Sequence, residues 1–448
     1  MTKKKIIFFL IYLLISNCSF GDKTGFWKGG EEEKLRASEL EKKQRELIEV
    51  EKIHSSDDIY IKEIKLNKSL KLSNPKNIVS WKMLNLNNQN FIGHPYASGM
   101  QNIFLKKKIG KDKFSIKNTK TSLLIDNNYI ILSDDRGTIF NLDKNGKIKW
   151  KKNIYKKLYK KIYKNLVFST YKNNIYVADN IGFIYKINIE NGDLIWIKNY
   201  GIPLKSNIKI FDESLFLIDQ DNRIISLRTE DGSKVWDILA ISSFIKSQKL
   251  LSIALSEKGD LVVLNSSGDL YKIDRNFGEI YWSSNTLTSL LPDATDFFIT
   301  SGIVIDEEKI LFSSEGNFFS YDLNLGTVIW ESNVSSTSTP IIDGKNIFIV
   351  TENGYFVILN KNTGEIISST NILKILKKKK RDTKISGFIL GSEKIYSTTL
   401  NGYIIVSSAV TGEVQLSKKI GDSISSSPII HDGKLYILTE KSKIIGFN

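Results

Sequence analysis

The fold is decided by the stretch Asp134-Asp135-Arg136-Gly137-Thr138-Ile139-Phe140-Asn141-Leu142-Asp143, which continues as Asn145-Gly146-Lys147-Ile148-Lys149-Trp150. The pattern returns as Asp179-Asn180-Ile181-Gly182-Phe183-Ile184-Tyr185-Lys186-Ile187 and closes with Asn191-Gly192-Asp193-Leu194-Ile195-Trp196. A glycine that follows Asn or Asp, placed between alternating strands, is a strong signal for a hairpin turn. Each unit therefore contains two tight turns that join consecutive antiparallel strands.

The unit recurs at intervals of roughly 38 to 48 residues, a period typical of repeat architectures. One copy has Asn222 in place of its first glycine, and Asn also tolerates a positive φ. Two later copies, around Gly354 and Gly402, have Ser368 and Leu416 in the tryptophan position. The residues that define the repeat are Trp81, Gly137, Gly146, Trp150, Gly182, Gly192, Trp196, Trp236, Gly268, Gly278, Trp282, Gly316, Gly326 and Trp330.

A further β-rich run precedes each first glycine, so every unit supplies four strands, the content of one propeller blade. Seven units are complete, and the C-terminal unit lacks its last strand. The upstream run Ile78 to Leu84, which contains Trp81, is predicted to supply that strand and to close the ring. We therefore predict an all-β fold over residues 75–448, an eight-bladed β-propeller with four-stranded antiparallel blades closed by an N-terminal strand.

Composition limits the classes of function. The chain has 448 residues, 41% hydrophobic and 25% charged, which excludes disorder throughout. The net charge is +15, but only seven of the 64 basic residues are Arg, the residue that reads bases and phosphates best. The basic stretches Lys151 to Lys164 and Lys377 to Arg381 are therefore interpreted as solvated or lipid-attracted loops, and no nucleic acid is expected as a partner.

Metal and thiol chemistry have few candidate residues. The chain contains one Cys and three His, at positions 54, 94 and 431, and none of the His residues stands in a ligand spacing. A disulfide framework is excluded, and we predict no metal site and no cofactor.

Residues 1–17 have the layout of a lipoprotein signal peptide. Three lysines at 3–5 precede an apolar run, Ile6 to Ile15, that is too short to span a bilayer permanently. The run ends in Ile15-Ser16-Asn17-Cys18, which resembles a bacterial lipobox and makes Cys18 the predicted lipidation site. The following Ser19 implies, by resemblance to known sorting rules, the outer membrane. A plain secretory peptide with an incidental Cys is the alternative.

Residues 18–74 are predicted to form a lipid-anchored, charged tether with a helix at about 31–53. Glu39 with Lys43, and Glu41 with Arg45, have the i,i+4 spacing that supports a helix. Its apolar stripe is thin, so a solvated tether is favoured over a docked helix.

The motifs Asp-x-x-Gly-x-(Ile/Phe)-(Tyr/Phe) and Gly-x-(Ile/Leu/Val)-x-Trp resemble the repeats of the pyrroloquinoline-quinone-like propellers. With the signal, Cys18 and the tether, nearly the whole chain resembles the BamB family, lipoproteins of the outer-membrane β-barrel assembly (BAM) machinery. The Trp81 strand and the following Asn90-Phe91-Ile92-Gly93-His94 are similar to the N-terminal blade segment of alphaproteobacterial members.

This resemblance implies a non-catalytic scaffold, lipid-anchored at the periplasmic face of the outer membrane. Its implied partners are the periplasmic domains of BamA, other BAM subunits and unfolded outer-membrane proteins.

The alternative is an enzyme of the same superfamily, a pyrroloquinoline-quinone-dependent dehydrogenase. That branch implies a vicinal Cys pair, acidic and Asn ligands to Ca²⁺, and a catalytic Asp. No Cys follows Cys18, and acidic residues such as Asp134, Asp231 and Asp274 fall in hairpin turns, where turn chemistry explains them. We therefore predict that the protein has no catalytic residues.

In the BamB family, the contact with BamA lies on loops of neighbouring central blades. The corresponding stretches here follow Trp236 and Trp282. The predicted partner-binding residues are Phe244, Ile245, Lys246, Asp293 and Asp296. This assignment rests on blade position, and the alternative is that Phe244 and Ile245 begin the next inner strand as core residues.

Overall fold

The computed structural model describes residues 31–50, 60–66, 70–110, 123–240, 250–286, 300–314, 316–378, 381–424 and 426–448. Within the first of these ranges, the described side chains are those of residues 31 and 33–42. None of the described helices is long and apolar enough to cross a membrane.

The described strands form eight antiparallel sheets arranged as an eight-bladed β-propeller, which confirms the predicted fold class. Among the described residues, one α-helix, α1 (Glu31–Val50), precedes the blades, and its last described residue lies three residues before the predicted limit. Two short 3-10 helices in the described part of the chain, Lys157–Lys161 and Ile372–Ile375, lie between blades.

The strands follow one another blade by blade. Blades 1 to 4 consist of β3 (Leu124–Asp126), β4 (Tyr129–Ser133), β5 (Ile139–Leu142) and β6 (Ile148–Lys152); β7 (Leu166–Tyr171), β8 (Asn174–Asp179), β9 (Phe183–Asn188) and β10 (Leu194–Asn199); β11 (Lys209–Phe211), β12 (Ser214–Ile218), β13 (Arg223–Arg228) and β14 (Lys234–Leu239); and β15 (Ser252–Leu255), β16 (Leu261–Leu264), β17 (Asp269–Ile273) and β18 (Ile280–Asn285).

Blades 5 to 8 consist of β19 (Val304–Asp306), β20 (Lys309–Ser314), β21 (Asn317–Asp322) and β22 (Val328–Ser332); β23 (Ile341–Asp343), β24 (Asn346–Val350), β25 (Tyr355–Asn360) and β26 (Ile366–Asn371); β27 (Ile385–Gly391), β28 (Lys394–Thr399), β29 (Tyr403–Ser408) and β30 (Val414–Lys419); and β31 (Ile429–His431), β32 (Lys434–Leu438), β33 (Lys443–Phe447) and β2 (Ile103–Lys108). A further strand, β1 (Ser80–Trp81), is added to blade 1. First strands of neighbouring blades contact one another at several boundaries, for example β7 with β11, β11 with β15 and β15 with β19, which places them around the ring axis.

The turns have the backbone that the repeat requires. The first turn of every blade contains a residue with positive φ, namely Gly137, Gly182, Asn222, Gly268, Gly316, Gly354, Gly402 and, in blade 8, Ser442. The second glycines, from Gly146 to Gly412, also have positive φ.

Each tryptophan of the repeat joins its blade to the next one. Trp150 lies against Gly192 of blade 2 so closely that a Cβ on that glycine would come within 2.8 Å of the indole ring. The indole N–H of Trp150 donates to the backbone oxygen of Ile189 at 2.9 Å, in the same hairpin. Four further pairs have the same close approach: Trp196 with Gly232, Trp236 with Gly278, Trp282 with Gly326, and Trp330 with Gly364.

The two copies without tryptophan use other contacts. Ser368 of blade 6 is buried and lies near Gly412 of blade 7. Leu416 of blade 7 is 43% exposed, because blade 8 receives its fourth strand from the N-terminal side and has no second-glycine hairpin for Leu416 to meet.

The prediction that the run from Ile78 to Leu84 completes blade 8 is wrong. The fourth strand of that blade is β2, which pairs antiparallel with β33 from Ile103 opposite Phe447 to Lys108 opposite Lys443. The tryptophan position is occupied by Leu105, whose Cδ1 would lie 2.8 Å from a Cβ on Gly146. Residue type favours Trp81 for this position, whereas a leucine fills the space beneath Gly146.

Trp81 nevertheless contributes to closure. It lies in β1, which pairs with β3 of blade 1, and it is 3% exposed. Its indole N–H donates to the backbone oxygen of Ile430 in β31 at 2.6 Å. The residue therefore links the first blade to the inner strand of the last one.

Leu105 and Leu416 occupy the same repeat position in different environments, which makes a matched test of closure possible. We expect Leu105→Ala to lower the free energy of unfolding by about 2 to 5 kcal/mol, since it opens a cavity beneath Gly146. We expect Leu416→Ala to change it by less than about 1 kcal/mol, because Leu416 is already partly in water. Urea unfolding followed by tryptophan fluorescence measures both, and equal losses would contradict the assigned closure.

Candidate partner-binding surface

The two ends of the ring carry different turns. The first turns and the connections between blades share one end, here called the first-turn face. At this end Thr286, just after β18, donates its backbone N–H to the oxygen of Gly268 at 2.8 Å. The second-glycine hairpins lie at the opposite end, here called the hairpin face, because successive strands of a blade run in opposite directions.

The predicted contact residues Phe244, Ile245, Lys246, Asp293 and Asp296 lie outside the described residues, and so does Cys18. Their roles in binding and lipidation stay predictions. The residues that flank the two contact stretches, Ala240 and Leu250 for one and Thr286 and Thr300 for the other, are described. Both stretches therefore start from the first-turn face, and the inner strand after the first stretch begins only at Ser252.

A groove of about 280 Å³ lies at this face of blade 3, next to the start of the first stretch. It is lined by Tyr200, Ile202, Asp219, Arg223, Ile225, Lys234 and Asp237. Asp237 pairs with Arg223 and with Lys234, whose Nζ lies 2.6 Å from Asp237 Oδ1.

The hydrogen bond from Lys234 lowers the pKa of Asp237, so the carboxylate stays charged at neutral pH. Leu239, which pairs with Arg223 across the strands, is 57% exposed. The groove and its margin thus present an apolar side chain beside fixed charges of both signs, which suits a polypeptide partner.

The first turns of helix α1 dock on the same face, over blades 1 and 2. The Tyr159 hydroxyl donates to Glu33 Oε1 at 2.7 Å, and Arg36 donates to Asn199 Oδ1 at 3.0 Å and to the oxygen of Ile181. Ala37 is 4% exposed. The prediction of a solvated tether is therefore wrong for these turns. Glu33, Ala37 and Leu40 lie on one helix face, and this spacing is the sequence signal that indicates docking.

A buried polar cluster lies beneath the docked helix. The Tyr155 hydroxyl donates to Asp179 Oδ2 at 2.5 Å, and Asp179 Oδ1 accepts three backbone N–H groups of its own turn. Burial raises the pKa of Asp179 and lowers the pKa of Lys164 to about 8. The contacts hold the turn and the 3-10 helix Lys157–Lys161 in place under α1.

On the hairpin face, residues 73–98, here called the crossing segment, contact the inner strands of all eight blades or the turns that follow those strands. In order of blade number, the partners are Ser80 with Asp126, Lys82 with Thr170, Asn87 with Lys209, Asn88 with Leu255, Gln89 with Ile305, Ser73 with Asp343, Pro95 with Ser392, and Ser98 with Gly433. The motif from Asn90 to His94, which resembles a blade segment in sequence, lies in this crossing segment. A single stretch of chain therefore ties the whole ring together around its axis.

Asn90 and Lys209 form the centre of this connection. Asn90 is fully buried, and its Nδ2 donates to the oxygens of Ile253 at 3.1 Å and Ile303 at 2.8 Å, in blades 4 and 5. Lys209, also fully buried, donates from Nζ to Asn90 Oδ1 and to the oxygen of Asn87, both at 2.6 Å. These acceptors are neutral, and burial lowers the pKa of Lys209 to about 7.

The acidic residues that could belong to an enzyme site form hydrogen bonds within their own turns. Asp134, Asp231 and Asp274 each accept backbone N–H groups of their own turns at 2.7 to 3.1 Å. Within the described part of the chain, no three His, Cys, Asp or Glu side chains come together as a group that could hold a metal ion.

Eight blades, with a Trp packed against a Gly of the next blade at five of their boundaries, define a propeller of the pyrroloquinoline-quinone-like repeat class. The family model described as "Outer membrane protein assembly factor BamB" matches residues 135–370, more than half of the chain. The chain therefore belongs to this family. No curated protein sequence matches it.

Solved structures share the fold at low identity. BamB from Moraxella catarrhalis is 12% identical with a TM-score of 0.62, over 77% of this chain and all of that one. A europium-containing methanol dehydrogenase is 10% identical with a TM-score of 0.61, over 80% and 89% of the two chains. The quinohemoprotein alcohol dehydrogenase from Comamonas testosteroni is 9% identical with a TM-score of 0.62, over 82% and 80%.

Lys209 gives the stability of the ring a defined pH dependence. Its pKa is about 7 in the folded protein and near the ordinary 10.5 in the unfolded chain. Between these values the unfolded chain binds more protons, so the contribution of Lys209 to stability increases as the pH rises from 7 towards 10.5. We expect the free energy of unfolding of the wild type, minus that of Lys209→Met, to increase over this range.

Urea unfolding at several pH values from about 6 to 10 measures this difference, and Lys144→Met, at an exposed position, is the matched control. A difference between wild type and Lys209→Met that is independent of pH would contradict the shifted pKa.

Proposed function

We propose that the protein is a non-catalytic scaffold subunit of the BAM complex, anchored through Cys18 at the periplasmic face of the outer membrane. It binds the periplasmic domains of BamA, acts with other BAM subunits and aids insertion of unfolded outer-membrane proteins. The observation that carries this proposal is the match of residues 135–370 to the BamB family.

The described geometry supports a scaffold role. The crossing segment bonds to the inner strands of all eight blades or to the turns that follow them, and the tryptophan contacts join successive blades. The ring is therefore a stiff support for the stretches that start from its first-turn face. Two of these stretches contain the proposed BamA contacts, Phe244 to Lys246 and Asp293 with Asp296. The groove of blade 3 adds charges and an exposed leucine next to the first stretch.

A capture experiment tests the proposal. A soluble form without residues 1–18 is expected to be retained by the immobilised periplasmic domains of BamA from the same organism. Combining Lys246→Glu with Asp296→Lys is expected to abolish capture by reversing two contact charges, while the thermal midpoint moves by no more than a degree or two.

The control reverses two exposed charges on the hairpin face, Lys144→Glu with Asp193→Lys, and is expected to keep full capture. Capture that survives the first double reversal would move the contact to another part of the ring. No capture of the wild type would contradict the proposed function itself.

The alternative function is a pyrroloquinoline-quinone-dependent dehydrogenase, since two of the similar structures are dehydrogenases of this fold. We expect pyrroloquinoline quinone with Ca²⁺ to leave the melting temperature unchanged, because a ligand stabilises a protein only when it binds the folded state. Differential scanning fluorimetry over a range of quinone concentrations measures this. A saturable rise in melting temperature, together with dye-linked alcohol oxidation, would favour the enzyme instead.

A further inference from the structure

The repeat provides an internal comparison of equivalent surface positions. The residue before the second glycine is polar in five blades, where it is Asn145, Asn191, Asp231, Thr363 or Thr411. In the neighbouring blades 4 and 5 it is instead Phe277 or Leu325, with 76% and 72% of the residue exposed. Both lie on the hairpin face, and the turn itself does not require an apolar residue there.

Further exposed apolar residues lie close to these two in the sequence, on the strands that follow the same turns. On the outer strands beside them Ile280, Tyr281, Val328 and Ile329 are 44% to 55% exposed. Trp282, the neighbour of Tyr281, packs under Gly326, the neighbour of Leu325, so blade 4 and the hairpin of blade 5 are in contact. We call Phe277, Ile280, Tyr281, Leu325, Val328 and Ile329 the rim patch.

The rim patch is not needed for packing between the blades. Trp282 already fills the boundary between blades 4 and 5, and its N–H donates to the oxygen of Leu323 at 3.1 Å. Contiguous apolar side chains in water that do not serve the core mark interaction sites in soluble proteins.

Charge around the patch indicates what it binds. The described residues of blades 4 and 5, 250–286, 300–314 and 316–332, contain ten Asp and Glu against four Lys and Arg, in a chain whose net charge is +15. Two of the four cations are paired, Lys272 with Asp260 and Arg275 with Asp212. Glu279, Glu308 and Glu331 are exposed. The sector is therefore acidic within a basic protein.

We propose that the rim patch is a docking surface for a cationic polypeptide segment that carries apolar side chains. The rim patch would bury the apolar side chains of the partner, and the surrounding carboxylates would attract its Lys and Arg residues. An anionic membrane surface is disfavoured, because the same carboxylates would repel it. This surface lies on the hairpin face, whereas the stretches proposed to bind BamA start from the first-turn face, so the inference goes beyond the proposed function.

The probe for this surface is a fluorescent 12-residue peptide of alternating Lys and Leu, with its Glu and Leu counterpart as the opposite-charge control. The soluble form without residues 1–18 is expected to bind the cationic peptide in fluorescence anisotropy and not the anionic one. A non-specific electrostatic response of this basic protein would have the opposite preference.

The decisive variant, Phe277→Asn with Leu325→Asn, introduces the residue that blades 1 and 2 have at this position. We expect it to weaken binding of the cationic peptide by about tenfold or more, since central apolar anchors dominate the affinity of an interface. Its thermal midpoint is expected to stay within a degree or two of the wild-type value.

The matched control, Ile148→Thr with Ile195→Thr, removes two exposed apolar residues from the outer strands of blades 1 and 2 and is expected to leave binding unchanged. Glu279→Gln with Glu331→Gln is expected to weaken binding and to reduce its salt dependence.

Equal binding by the wild type and the Phe277/Leu325 variant would overturn the proposal, as would equal binding of the two peptides. Self-association of the wild type that the same variant abolishes would show that the occupant is a second copy of the chain, and would overturn it as well. BamA capture by this variant is measured in parallel, so failure here is distinguished from failure of the proposed function.

Discussion

The ring depends on the contact between an indole ring and a glycine of the next blade. The glycine has a positive φ because the hairpin reverses there, and it has no room for a Cβ because the indole lies against it. The indole N–H is satisfied by a carbonyl of the same hairpin, as in Trp150 with Ile189. One contact thus fixes the turn, the packing of neighbouring blades and a buried polar group, which explains why the repeat conserves its frame from blade to blade.

The same contact explains the exceptions. Where blade 8 takes its fourth strand from the N-terminal side, Leu105 lies beneath Gly146 in place of a tryptophan. Leu416, which faces no second-glycine hairpin, is partly in water. The crossing segment adds closure at the axis, with Asn90 bonded to blades 4 and 5 and held by the buried Lys209.

The tryptophan and glycine positions of the repeat are constrained by packing between blades. The other positions of the repeat can differ from blade to blade. The docked turns of α1 use the first-turn face of blades 1 and 2 through Glu33 and Ala37. The stretches proposed to bind BamA start from the same face between blades 3 and 5. The rim patch uses the hairpin face of blades 4 and 5. A rigid repeat can therefore carry separate surfaces without any change in its core.

Local sequence patterns predict the four strands of each of the seven complete blades, the positions of both turns and the start of α1 at Glu31, because each depends on residues close together in the chain. A glycine with positive φ and a strand of alternating residues are local requirements. The closure of the ring by β2, the path of residues 73–98 across the axis and the docking of α1 on blades 1 and 2 depend instead on the folded ring. Leu105 with Gly146, Asn90 with Ile303 and Glu33 with Tyr159 are contacts between residues far apart in sequence, and the shape of the space that each side chain fills exists only after the ring has formed.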